Sequence, residues 1–186
     1  MKKSCLLLVN IVFVFSLLRA QNTQFNLRYP STSSIPIMPA LTPVSEECDI
    51  AYADVDGDND LDLLICGSPD NTSFSSNSAY LYFNDGAGNY EVRPDNLPVQ
   101  FWSNGPIFFA DIDGDLDPDI INGKSGVRIY INDGTGNFSL KSGTNFPTLG
   151  YSTVKLADVD SDNDLDILTS GSLNGSRTAQ LFINDG

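Results

Sequence analysis

Three times in this chain an aspartate stands at every second position across nine residues, and each time apolar runs flank the cluster. The copies are Asp54-Val55-Asp56-Gly57-Asp58-Asn59-Asp60-Leu61-Asp62, Asp111-Ile112-Asp113-Gly114-Asp115-Leu116-Asp117-Pro118-Asp119 and Asp158-Val159-Asp160-Ser161-Asp162-Asn163-Asp164-Leu165-Asp166. Carboxylates packed this closely repel one another, so a folded chain needs a cation to hold them together. Hard carboxylate oxygens select a hard divalent ion, and a flexible shell of several oxygens suits calcium better than octahedral magnesium. In a tight loop the alternation turns the first, third and fifth carboxylates toward one centre. Val55, Ile112 and Val159 are then expected to point back into the core. An EF-hand would need glycine at loop position six and glutamate at twelve. Here position six is Asn59, Leu116 or Asn163, and position twelve is Ile65, Asn122 or Thr169, so that loop type is excluded. Solvated acidic turns are the remaining alternative, and the faithful recurrence of the pattern argues against them.

The start of the chain has the layout of a secretory signal peptide. Lys2 and Lys3 precede an apolar run from Leu6 to Leu18, and Ala20 is followed by polar Gln21-Asn22-Thr23, so residues 1–20 are expected to be cleaved. The run is shorter than the roughly 20 apolar residues of a membrane span, and no membrane insertion of the mature chain is expected. The mature protein is therefore expected to be secreted, extracellular or at the cell surface. Cleavage takes Lys2, Lys3 and Arg19 from the ten basic side chains, leaving seven against 24 acidic ones, a net charge of −17. Fifteen of those acids lie in the three loops, and three bound calcium ions would bring the charge to −11. Such a surface argues against nucleic acid and against anionic membranes. Two cysteines remain, Cys48 and Cys66, on either side of the first loop. Export permits a disulfide between them, and two buried thiols are the alternative.

A second motif keeps step with the first. Tyr80-Leu81-Tyr82-Phe83-Asn84-Asp85-Gly86-Ala87-Gly88-Asn89-Tyr90 recurs from Val127 to Phe138 and begins again as Ala179-Gln180-Leu181-Phe182-Ile183-Asn184-Asp185-Gly186. Two motifs in one order, at a period of roughly 50 residues, indicate an array of like units. Short β-branched and aromatic runs bounded by glycine and asparagine read as strands. Asn-Asp-Gly-x-Gly supplies the positive-φ positions of a tight hairpin. About four strands per unit follow, the aspartate loop joining the first two and the hairpin the last two. That is the size of a propeller blade. The units are expected over about 45–100, 101–147 and 148–186. Residues 21–44, rich in proline, serine and threonine, read as a linker or a closing outer strand.

With both motifs in place the chain resembles the FG-GAP/VCBS repeat proteins, whose blades are similar to those of the integrin α-subunit propeller. The resemblance covers residues 45–186. It implies an all-β fold, a partial β-propeller of about three four-stranded blades, each with a calcium-binding aspartate loop. It also implies about three calcium ions, held by the first, third, fifth and ninth side chains and the seventh backbone carbonyl. Carried over, the ligands are Asp54, Asp56, Asp58 and Asp62 with Asp60 through its backbone. In the second loop they are Asp111, Asp113, Asp115 and Asp119 with Asp117. In the third they are Asp158, Asp160, Asp162 and Asp166 with Asp164. Leu116 and Pro118 depart from the other loops, and Ser161 replaces a glycine that would ease an unusual dihedral. Closed propellers have typically four to eight blades. Because the third hairpin stops at Gly186, the expectation is a fragment with further blades.

These features point to a secreted calcium-binding module for recognition or adhesion, with an extracellular protein or glycan as partner and calcium as a structural ion. Tyr29, Tyr80, Trp102 and Tyr151 are candidates to stack on sugar rings, although aromatics in blades commonly belong to the core. The alternative is the non-catalytic propeller portion of a larger secreted enzyme, such as a polysaccharide-degrading one. Catalysis by this chain itself is not expected, since it contains no histidine and no Gly-x-Ser-x-Gly elbow.

Overall fold

The computed structural model describes residues 49–67, 78–93, 96–98, 105–123 and 126–186, the side chains of Ser78 and Tyr151 excepted. The expected leader over 1–20, the stretch 21–44, Cys48, Tyr29 and Trp102 lie outside the described residues.

The β-branched and aromatic runs form antiparallel strands on either side of each aspartate loop. β1 (Asp49–Ala53) and β2 (Asp62–Gly67) pair with Ala53 opposite Asp62, so the first loop is their connection. β3 (Ser78–Asn84) and β4 (Tyr90–Val92) pair across the first Asn-Asp-Gly hairpin, with Asn84 opposite Tyr90. The second unit repeats the plan with β5 (Ile107–Ala110), β6 (Asp119–Asn122), β7 (Arg128–Asn132) and β8 (Phe138–Leu140). The third contains β9 (Gly150–Ala157), β10 (Asp166–Leu173) and β11 (Ser176–Phe182). Here Asn174 and Gly175, both at positive φ, make a two-residue turn between β10 and β11. The sheet orders are β1-β2-β3-β4, β5-β6-β7-β8 and β11-β10-β9. The third sheet thus has three strands among the described residues, one fewer than the repeat pattern suggests.

Alternation along each strand gives every sheet two apolar faces, because successive side chains point to opposite sides. One face of the first sheet (Leu64, Cys66, Leu81, Phe83) packs on Ile107, Ile120, Tyr130 and Phe138 of the second. The opposite face of the second sheet (Ile121, Ile129) packs on Val154 and Ile167 of the third. Each fully buried Leu, Ile or Phe contributes about 1.5–3 kcal/mol of transfer free energy, so these two junctions hold the array together. Cys66 is a free, buried thiol in the first junction, and burial raises its pKa. Tyr80, a candidate for sugar stacking, lies half-buried beside Tyr82. No helix among the described residues is long and apolar enough to cross a membrane.

Candidate metal centres

Each loop is shaped by its first aspartate, which accepts hydrogen bonds from backbone N–H groups further along the same loop. Asp54 accepts from Gly57 at 2.9 Å, Asp58 at 3.1 Å and Asn59 at 2.9 Å. Asp111 accepts from Gly114 at 2.8 Å and Leu116 at 3.0 Å. Asp158 accepts from Ser161 at 2.6 Å, Asp162 at 3.3 Å and Asn163 at 3.1 Å. Wrapping the chain this tightly puts the fourth position in the left-handed region, at φ 76° for Gly57, 80° for Gly114 and 69° for Ser161. Ser161 therefore keeps the glycine conformation. Position six is left-handed as well, at 71° for Asn59, 76° for Leu116 and 79° for Asn163. Asparagine tolerates this region and leucine does not readily, so Leu116 carries strain.

The ninth aspartate ties the loop to the hairpin of its own sheet. Asp62 accepts from Val55 N–H and from Asn84 N–H, both at 2.9 Å. Asp119 accepts from Ile112 at 3.1 Å and Asn132 at 2.8 Å, and Asp166 from Val159 at 2.8 Å and Asn184 at 2.9 Å. All three of these carboxylates are buried. The seventh side chains turn away toward the hairpin glycines. A Cβ at Gly86 would collide with the Asp60 carboxylate, and one at Gly134 with that of Asp117. Asp164 approaches Gly186 in the same way.

Among the described residues, three groups of carboxylates have oxygens within 4.8 Å of one another and could hold a metal ion: Asp54, Asp56 and Asp58; Asp111, Asp113 and Asp115; and Asp158, Asp160 and Asp166. The first two unite positions one, three and five as the alternation predicts. The third draws in position nine instead of Asp162. Asp56 Oδ1 is buried and meets no hydrogen-bond donor, whereas Oδ2 faces Arg93 Nη1 at 3.3 Å. A buried, unpartnered carboxylate oxygen among other carboxylates is costly unless a cation faces it. The electrostatics agree. Burial raises the Asp62 pKa against the opposing hydrogen bonds from Val55 and Asn84, with Asp56 and Asp58 adding repulsion. Asp119 is pushed by burial from its ordinary 3.8 to about 6, again against two backbone hydrogen bonds. Desolvation raises Asp160, with the neighbouring charges of Asp162 and Asp166 behind it. Negative charge is under-compensated at all three loops, and the oxygen-only donor set fits a hard divalent ion.

Val159 corrects an expectation. Val55 is 1% exposed and Ile112 7%, but Val159 is 52% exposed. The cause lies in the next sheet. Gly136 of the second hairpin comes so close that a Cβ there would clash with the Phe83 ring and crowd Val55. Asn132 Nδ2 donates to the Val55 carbonyl at 2.9 Å and to Pro118 O of its own loop at 3.3 Å. Asn184 Nδ2 likewise donates to the Ile112 carbonyl at 3.1 Å. Among the described residues no following hairpin covers the third loop.

These asparagines are functional residues that sequence reasoning missed. Asn-Asp-Gly reads as a turn, yet its first residue joins the ninth aspartate of its own loop to the second residue of the preceding loop. The equal spacing of the two motifs was the available signal. Arg93, 37 residues from Asp56, left none.

A family model described as the FG-GAP-like repeat matches residues 54–122 and 120–169. No curated protein matches the chain.

Proposed function

This chain belongs to the FG-GAP-like repeat family over residues 54–169, and on that premise we propose that it is a secreted, calcium-stabilised β-propeller module for extracellular recognition or adhesion. The observation that carries the calcium reading is the buried, donor-less Asp56 Oδ1 within a loop architecture built three times. In this reading the ions are held at the first, third, fifth and ninth positions, with the seventh giving its backbone carbonyl. The outward turn of the Asp60, Asp117 and Asp164 side chains suits that division of labour. The blade reading is supported by two four-stranded antiparallel sheets and one three-stranded one among the described residues, with strands in chain order and the apolar face of each packed on the next.

Calcium's role here is architectural and the module is non-catalytic. Extracellular calcium sites bind with dissociation constants of roughly 10⁻⁴–10⁻³ M. At about 2 mM calcium and a constant of about 0.2 mM, each site stabilises the fold by about 1.4 kcal/mol. Three sites supply about 4 kcal/mol, a substantial part of the roughly 5–15 kcal/mol of an ordinary domain. The partner is an extracellular protein or glycan, met by the loops that a propeller presents on its faces.

Thermal unfolding followed by circular dichroism, in calcium, in magnesium and in chelator, tests the reading. A β-rich melt that rises with calcium and scarcely with magnesium is expected. A cooperative melt indifferent to all three conditions would overturn it.

A further inference from the structure

Arg93 follows β4 and reaches back to the first aspartate loop, 37 residues earlier in the chain. Its Nη1 donates to Asp56 Oδ2 at 3.3 Å, while Oδ1 of the same carboxylate is buried without a donor. The guanidinium lies 3.7 Å over the centre of the Phe83 ring. That ring is itself fixed, being 3% exposed and closed in by Gly136 of the second sheet. Isolated surface ion pairs contribute little, but this one differs on both sides. The Asp56 side chain is 16% exposed, and one of its oxygens lies within 4.8 Å of oxygens of Asp54 and Asp58. The cation is also attracted to the ring, and a planar guanidinium suits that stacking better than an ammonium. The second loop has no such partner. Counting from the aromatic that opens β4 and β8, Lys141 stands where Arg93 does. Lys141 is exposed and forms no ion pair among the described residues.

We propose that Arg93 is the resident counter-ion of the first loop: it holds Asp56 Oδ2 while the loop is metal-free, leaves Oδ1 as the oxygen for an incoming cation, and makes that site bind calcium more weakly than its carboxylates alone would. The inference rests on the calcium reading above and adds to it a residue that sets affinity. In the metal-free chain the pair offsets part of the repulsion among Asp54, Asp56 and Asp58. A cation arriving at Asp56 meets a carboxylate already partly neutralised, and its charge is repelled by the guanidinium. One side chain therefore steadies the metal-free loop and lowers its affinity for metal. Removing the charge must move those two properties in opposite directions, which mere damage to the fold does not do.

Calcium titration of the chain, followed through the Gly57 and Gly114 amide signals in nitrogen–proton correlation spectra, reads the first and second sites in one sample. Arg93→Met removes the charge and keeps an apolar stem over Phe83. It is expected to lower the Gly57 midpoint by about threefold or more in calcium while the Gly114 midpoint stays. Arg93→Lys should fall between, and Lys141→Met should leave both midpoints unchanged. In chelator at low salt, Arg93→Met should melt below the wild type, and the gap should narrow at high salt as the charges are screened. A Gly57 midpoint that stays or rises in Arg93→Met, two midpoints that move together, or chelator melts indifferent to Arg93 would each overturn the proposal. A wild-type chain in which neither amide responds to calcium would sink the calcium reading and the affinity half of the proposal with it. The chelator melts would then judge the counter-ion by themselves.

Discussion

The first and third aspartate loops share eight of nine residues, yet their second positions end in opposite environments. Val55 is sealed under the second sheet's hairpin, and Val159 faces solvent. The carboxylate groupings differ in step, with Asp58 joining the first and Asp166 the third. The lesson is that a loop of this kind is half built by its own sequence and half by the hairpin of the next unit. The first aspartate wraps the loop and the ninth staples it. The asparagine of the following unit then clamps the second residue's carbonyl.

The largest effect that would sharpen this comparison is removal of a ninth-position carboxylate. Asp119→Asn sets an amide N–H against a backbone N–H, and a loss of about 3 kcal/mol is expected by denaturant unfolding. Asp166→Asn, beside the uncovered loop, should cost less, and equal losses would break the comparison. The same aspartate gives the metal-free chain a pH dependence. Because the folded pKa of Asp119 is raised from 3.8 to about 6, its favourable contribution is complete below about pH 4 and lost as pH rises through 6. Melts in chelator should therefore show this group opposing stability at neutral pH, and Asp119→Asn should flatten that part of the profile.

Next in size is the apolar side chain itself. Val55→Ala should cost about 2 kcal/mol as a buried truncation, and Val159→Ala under about 0.5 kcal/mol, as expected of an exposed site. A cost at Val159 equal to that at Val55 would mean that the third loop is covered in solution. Asn132→Ala leaves the Val55 and Pro118 carbonyls without their donor and should cost about 1–2 kcal/mol, more than Asn84→Ala, whose amide reaches Leu61.

The smallest expected effect is a gain. Leu116 is exposed and held at φ 76°, where Asn59 and Asn163 stand in the other loops. Leu116→Asn relieves that strain and should raise stability by about 0.5–1 kcal/mol. A neutral or destabilising result would show that the second loop differs from the others in more than one dihedral.

Much of this was legible beforehand, since it depends on local chemistry. Period-two runs bounded by glycine specify strands, and Asn-Asp-Gly-x-Gly specifies positive φ at Gly86, Gly88, Gly134 and Gly136. Alternating aspartates bring positions one, three and five together in the first two loops within a few residues of chain. The outward turn of Asp60 and Asp117 was readable only as an implication of the family resemblance. The salt bridge of Arg93 to Asp56 was not readable at all, because a contact over 37 residues has no local signature.

By itself the sequence determined the all-β array, the loops and their carboxylates, because each rests on contacts within one unit or on the backbone freedom of single residues. Only the tertiary structure decided which loop is covered, which aspartates share a centre and what the hairpin asparagines hold. Those outcomes depend on the face that the next sheet presents. Identical residues such as Val55 and Val159 carry no record of their neighbour.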